Sequence, residues 1–131
     1  MKYQMELSEF PFNKIRFEGR KVDIRLFDKK RQSLKIGDII EYINTNNPTE
    51  RMECKVMGLA FFDNFDNLVD CLGPQMIGYA DKREVLLRLN RAYALDEQRK
   101  FNVVAIFIRD ISSAVREILR DSLERDAGGR E

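Results

Sequence analysis

The 131-residue chain contains no histidine and no tryptophan, and only two cysteines and three prolines. Without histidine there can be no Ser-His-Asp triad, no Cys-His dyad and no imidazole-ligated metal. Any catalysis must draw on Lys, Arg, Asp, Glu, Tyr, Ser or Thr. Cys54 and Cys71 are isolated, with no CxxC, so both read as buried free thiols rather than as redox or metal ligands. No apolar run is long enough to span a bilayer. The first residues, "MKYQMELSEF", lack the apolar core of a signal peptide. These absences lead us to expect a soluble cytoplasmic protein with reduced cysteines, no cofactor and no metal.

There is enough apolar material for one core. The length suits a single domain, and 44% of the residues are hydrophobic. The net charge is only +1, yet its distribution is uneven. Between Lys14 and Lys35 nine basic residues face three acids, Glu18, Asp23 and Asp28. That local excess of six leaves the remainder of the chain at −5.

Residues 2–7 alternate by twos and read as a strand. "SEFPFNKIRF" reads as a short helix, with Ser8 as cap, Pro11 in the first turn, and Phe12 and Ile15 on one face. "VDIRL" is a two-period strand, with Val22, Ile24 and Leu26 on one side and Lys21, Asp23 and Arg25 on the other. A turn at Gly37-Asp38 leads into a strand carrying Ile40 and Tyr42, and "NTNNPTE" is a loop. "RMECKVMGLAFF" is the next strand, with Met52, Cys54 and Val56 facing one way. Helices follow, one capped by Asp63 or Asn64 and ended by Gly73-Pro74, the next started by Asp81 with Glu84 and striped by Val85, Leu86, Leu89 and Tyr93. "KFNVVAIFI" reads as a buried strand. Residues 111–125 form an amphipathic pattern capped by Ser112 or Ser113, and residues 126–131 a disordered tail. Strands scattered among short helices, with no βαβ rhythm, indicate a small mixed barrel or α+β fold.

The expected row Lys21, Asp23, Arg25 would present two donors to a phosphate or a base edge. Asp23 would hold Arg25 or accept from a base amino group. Lys29, Lys30 and Arg31 in the "DKKR" turn, and Lys35 beyond it, would add attraction for a polyanion. The plain alternative is an exposed strand face with ordinary ion pairs and a solvated turn. Phe27 is the leading stacking candidate, and Phe17 and Tyr42 are weaker ones. Tyr79 and Tyr93 could offer hydroxyls to a cleft, although Tyr93 sits on a helix stripe.

The order of motifs adds a further reading. "PFNKIRFEGRKVDIRLFDKKRQSLKIGDIIEY", followed by "FDNFDNLVDCLG" and "YALDEQRKFNVVAIFI", resembles the ASCH domain, a relative of the PUA domain. The resemblance covers residues 1–110. It implies a PUA-like mixed β-barrel of five to six strands, with a cleft beside the strand Lys21–Leu26 where related domains are thought to bind RNA. Aligned without gaps, Arg20 stands at the family lysine, Asp23 at its glutamate and Arg25 at its arginine. A shift at Gly19 puts Lys21 at the lysine instead. Some small relatives are proposed to be nucleases, or amidohydrolases that use a lysine and a nearby threonine. No threonine follows Lys21 here. Asn102 replaces a usual glycine.

The expectation is therefore an α+β, PUA-like domain over 1–110, a helix over 111–125 and a tail over 126–131. Its expected function is binding of RNA or a nucleotide-like ligand through Arg20, Lys21, Asp23, Arg25, Phe27, Lys29, Lys30, Arg31 and Lys35. The alternatives are a small His-free hydrolase, a ribonuclease or an amidohydrolase on a modified nucleoside, using Lys21 or Asp23, and a protein-interaction adaptor that uses the C-terminal helix. The chain is expected to be a monomer, or a weak homodimer through that helix. No membrane partner is expected.

Overall fold

The apolar run from Val103 to Phe107 shows no polar alternation because neither of its faces meets water. In the computed structural model, which describes residues 2–112, this run belongs to strand β5 (Val103–Asp110). Val104, Ile106 and Ile108 pack into one apolar cluster, and Val103 and Ala105 into another. Burial on both sides removes the polar positions of a half-exposed strand.

Four more strands complete the sheet: β1 (Lys2–Leu7), β2 (Val22–Leu26), β3 (Ile39–Asn44) and β4 (Arg51–Phe62). Their spatial order is β1-β3-β4-β5-β2. β1 runs parallel to β3, and the other neighbours are antiparallel. A register shift at Met57 bulges β4 against β5 and helps it bend. The sheet curls into a half-barrel. Its two edge strands are not paired, but they approach each other. Arg25 on β2 donates through Nη2 to the carbonyl of Glu6 on β1 at 2.8 Å.

One cluster fills the concave side, where Phe12 and Ile15 of helix α1 (Glu9–Phe17) cover Ile40, Tyr42, Met52, Cys54 and Val56. Ser8 stands at the start of α1, but its side chain makes no capping bond. The convex side of β2 and β5 is covered by α2 (Phe65–Leu72), α3 (Pro74–Ile77) and α4 (Lys82–Ala92). Asn64, not Asp63, caps α2 by accepting from the Asn67 amide at 2.8 Å. Asp81 caps α4 by accepting from the Glu84 amide at 2.9 Å. Each satisfies an amide that the helix itself leaves unpaired.

Several expectations need correction. Cys71 is exposed, and only Cys54 is buried. Residues 95–100 form an additional short helix, α5 (Leu95–Lys100). Asn102 does not use the glycine-like region, since no non-glycine residue among those described has a positive φ. The helix expected over 111–125 lies, from residue 113 onward, outside the described residues, as does the tail. Ser112 ends the described chain by accepting from the Glu53 amide at 2.6 Å.

Candidate functional site

The alternation of "VDIRL" is real, but its polar face does not meet solvent. Val22, Ile24 and Leu26 pack under the helices, which turns Asp23 and Arg25 toward the interior of the curl. Asp23 is 2% exposed and Arg25 is 8% exposed. The expected solvent-facing row of Lys21, Asp23 and Arg25 is thus corrected. The sheet's curvature converts its outer face into an inner one.

A buried charge must be paired and hydrogen-bonded. Arg25 Nε donates to both oxygens of Asp23, at 3.1 and 2.9 Å. The Tyr42 hydroxyl donates to Asp23 Oδ2 at 2.8 Å, and the Glu6 carbonyl takes Arg25 Nη2. Burial works against the Arg25 charge, but Asp23 beside it wins and holds its pKa above the ordinary arginine range. Burial and the neighbouring carboxylate push the Tyr42 phenol well above its usual value.

A guanidinium carries five N–H donors. Arg25 uses Nε and one proton of Nη2, so three donors have no partner among the described residues. Arg25 lines a cavity of about 420 Å³ between β2, the β1–α1 junction and α4. Three more arginines line it, Arg20, Arg88 and Arg91, and Asp23 and Glu6 are its acids. Arg20 is anchored by donating from Nε to the Val22 carbonyl at 2.6 Å. Ile24, Val85 and Leu89 supply apolar wall.

Tyr79 lines the cavity and carries an aromatic partner, Phe10, that lies outside its lining. Phe10 and Tyr79 are stacked with centroids 5.8 Å apart. The Arg88 guanidinium lies 3.9 Å from the Phe10 centroid and 5.6 Å from that of Tyr79. Gly78, at φ +94°, lets this segment come close, because a Cβ there would stand 3.1 Å from Lys14 Cδ. Tyr93 packs on Phe65 at 5.6 Å, and its hydroxyl makes no hydrogen bond among the described residues. Burial, more than the opposing charge of Arg25, raises the Tyr93 pKa.

The structure therefore brings Arg20, Asp23 and Arg25 into one place. Lys21 is exposed and lies outside this cavity, in a hollow with Lys14 and Gly19. Phe27 is not a free platform. It packs against the core, edge-on to Phe61 at 4.8 Å. Tyr42 is fully buried, and Phe17 is 72% exposed. Lys29 and Lys35 are exposed outside the cavity. Arg31 is held by Asp28 at 2.6 Å, and with Lys30 it borders a second hollow. Sequence reasoning missed Arg88 and Arg91. Their spacing of three on a helix places them on one face, and this was the available signal.

Asp23 already accepts three hydrogen bonds, and Lys21 is not beside it. No group of three or more Asp, Glu or Cys among the described residues is placed to hold a metal ion. No described helix is long and apolar enough to cross a membrane.

No protein-family model and no curated protein matches the chain. Solved structures similar to it include the following two. The crystal structure of hypothetical protein PH0355 is 28% identical, with a TM-score of 0.74 over 85% of this chain and all of that one. The solution structure of protein PF0455 from Pyrococcus furiosus is 25% identical, with a TM-score of 0.68 over 85% of this chain and 98% of that one. The half-barrel fold is thus shared with these two proteins.

Proposed function

We propose that this chain is an ASCH/PUA-like domain that binds RNA, or a nucleotide-like ligand, in the four-arginine cavity. One observation carries the reading. Arg25 is buried and rigidly held, yet keeps three unused donors beside a cavity that three further arginines line. An anionic oxygen is the partner such donors lack. Tyr79 lines the cavity and gives a planar base a surface, and the Tyr93 hydroxyl gives it a hydrogen-bonding group. Asp23 orients Arg25. Lys29, Lys30, Arg31 and Lys35 add long-range attraction from outside the cavity.

The hydrolase alternative has less support, because its two candidate groups, Lys21 and Asp23, do not meet. The adaptor alternative rests on residues outside those described.

The test is fluorescence anisotropy with short single-stranded and hairpin RNAs across a salt series, with the RNA then run on a denaturing gel. Affinity should fall steeply with salt and the RNA should stay intact. Arg88→Ala should weaken binding about tenfold, whereas the exposed Lys55→Ala should not. Absence of binding at low salt overturns the reading, and cleaved RNA replaces it with the hydrolase.

A further inference from the structure

The cavity shares a wall with a second concavity. This hollow, about 590 Å³, lies between β1 and the turn that follows β2, and Glu6 and Arg25 line both spaces. Lys30 and Arg31 stand on its far side, with Gln4 and Tyr3 completing the polar wall. Lys30 is exposed and makes no ion pair among the described residues. Arg31 is fixed through Nη1 by Asp28, which does not line the hollow. The Nε of Arg31 and the Oδ1 of Asp28 are both buried without a hydrogen-bond partner among the described residues, so this ion pair is closed off from the hollow and Lys30 is the free cation on its far side.

Cationic donors without acceptors among the described residues therefore occur on both sides of one seam, at Arg25 and at Lys30. Anionic oxygen is the natural complement of such donors. Lys30 lines the hollow and not the cavity, so a phosphate held in the cavity leaves Lys30 unanswered. A duplex would present stacked, paired bases, whereas an aromatic pair beside an anion site takes bases that are splayed apart.

Resting on the RNA-binding reading above, we infer that the ligand is a single-stranded segment several nucleotides long that crosses the seam between β1 and β2. One phosphate sits in the four-arginine cavity and a neighbouring one at Lys30. The backbone passes over Arg25, whose guanidinium serves both sides.

The experiment is competition against a fluorescein-labelled single-stranded RNA. The competitors are an equimolar pool of the four nucleoside monophosphates and random-sequence RNA pools of two, four and eight nucleotides. The four-nucleotide pool should compete about tenfold or more better than the monophosphates. Lys30→Ala should weaken the four-nucleotide pool about threefold and reduce the salt slope by about one. It should weaken monophosphate competition far less, because a monophosphate in the cavity meets Lys30 only through long-range attraction. Lys30 is exposed, so this variant tests binding without disturbing the fold. Two results overturn the crossing strand while sparing the cavity: equal competition by monophosphates and longer pools, or an unchanged four-nucleotide pool in Lys30→Ala, in each case with Arg88→Ala weakening every competitor. If the labelled RNA does not bind at all, the cavity reading fails along with this one.

Discussion

The sheet wall and the helix wall of the cavity present the same chemical group in opposite states. On the sheet wall, Arg25 is clamped by Asp23 and by the Glu6 carbonyl. On the helix wall, Arg88 and Arg91 lie on the exposed side of α4. Arg88 rests on Phe10 and has only a 3.9 Å ion pair with Glu84. The first arginine is positioned by folding, and its geometry exists before any ligand arrives. The others are held by little and can adjust. A rigid floor with an adaptable rim can fix a phosphate while tolerating different neighbours. The comparison also means that stability and binding should separate between the two walls.

The largest effect should come from breaking the sheet wall. Asp23→Ala leaves a buried guanidinium and the Tyr42 hydroxyl without their acceptor, and should cost about 3–5 kcal/mol in denaturant unfolding. A loss below about 1 kcal/mol would show that water can replace the carboxylate. Replacing both partners, Asp23→Leu with Arg25→Met, should recover much of that stability while leaving binding impaired.

Alkaline titration probes the same wall. The folded pKa values of Tyr42 and Tyr93 are raised, so above pH about 10 the unfolded chain loses phenol protons that the folded chain keeps. Their stabilisation is complete below that pH and is lost as pH rises toward the folded values. Each contributes a slope of up to about 1.4 kcal/mol per pH unit. Cys54, raised by burial, adds to the fall from a somewhat lower pH. Tyr42→Phe should remove one proton's worth of slope, and an unchanged slope would place the titration elsewhere.

Breaking the helix wall should give the converse. Arg88→Ala should lower RNA affinity by about 1–2 kcal/mol yet shift unfolding by no more than about 0.5 kcal/mol. A large stability loss would show that the rim is structural after all. The smallest expected effect is Gly78→Ala, about 1 kcal/mol, from the positive φ and the crowding of Lys14. If it weakens binding as well, the placement of Tyr79 between the walls is part of recognition.

Much of this fold was legible because local signals agreed with the tertiary result. The alternation of Met52, Cys54 and Val56, the cap at Asp81, and the unbroken apolar β5 read directly, and the cap of α2 narrows to Asp63 or Asn64. The site was legible only in part. Asp23 and Arg25 follow the right period, but period does not reveal curvature, and a curled sheet has no solvent on its inner side. Phe27 read as free because its partner, Phe61, is 34 residues away in sequence. Arg88 and Arg91 looked like ordinary solvated positions on an amphipathic helix. Nothing local says that this polar face overlooks a cavity floored by β2.

The bridge from Arg25 to Glu6 has a consequence for self-association. β1 and β2 are the two margins of the sheet, and each has one side without a strand neighbour. Such margins are templates for added strands and hence for aggregation. Here the Glu6 carbonyl, an outward acceptor of β1, is already occupied by a cation. The cation is in turn locked to β2 through Asp23. A strand from another molecule would have to strip a buried guanidinium of its acceptor before it could pair across the seam. A single side chain thus guards the point where the two margins approach, without closing the barrel.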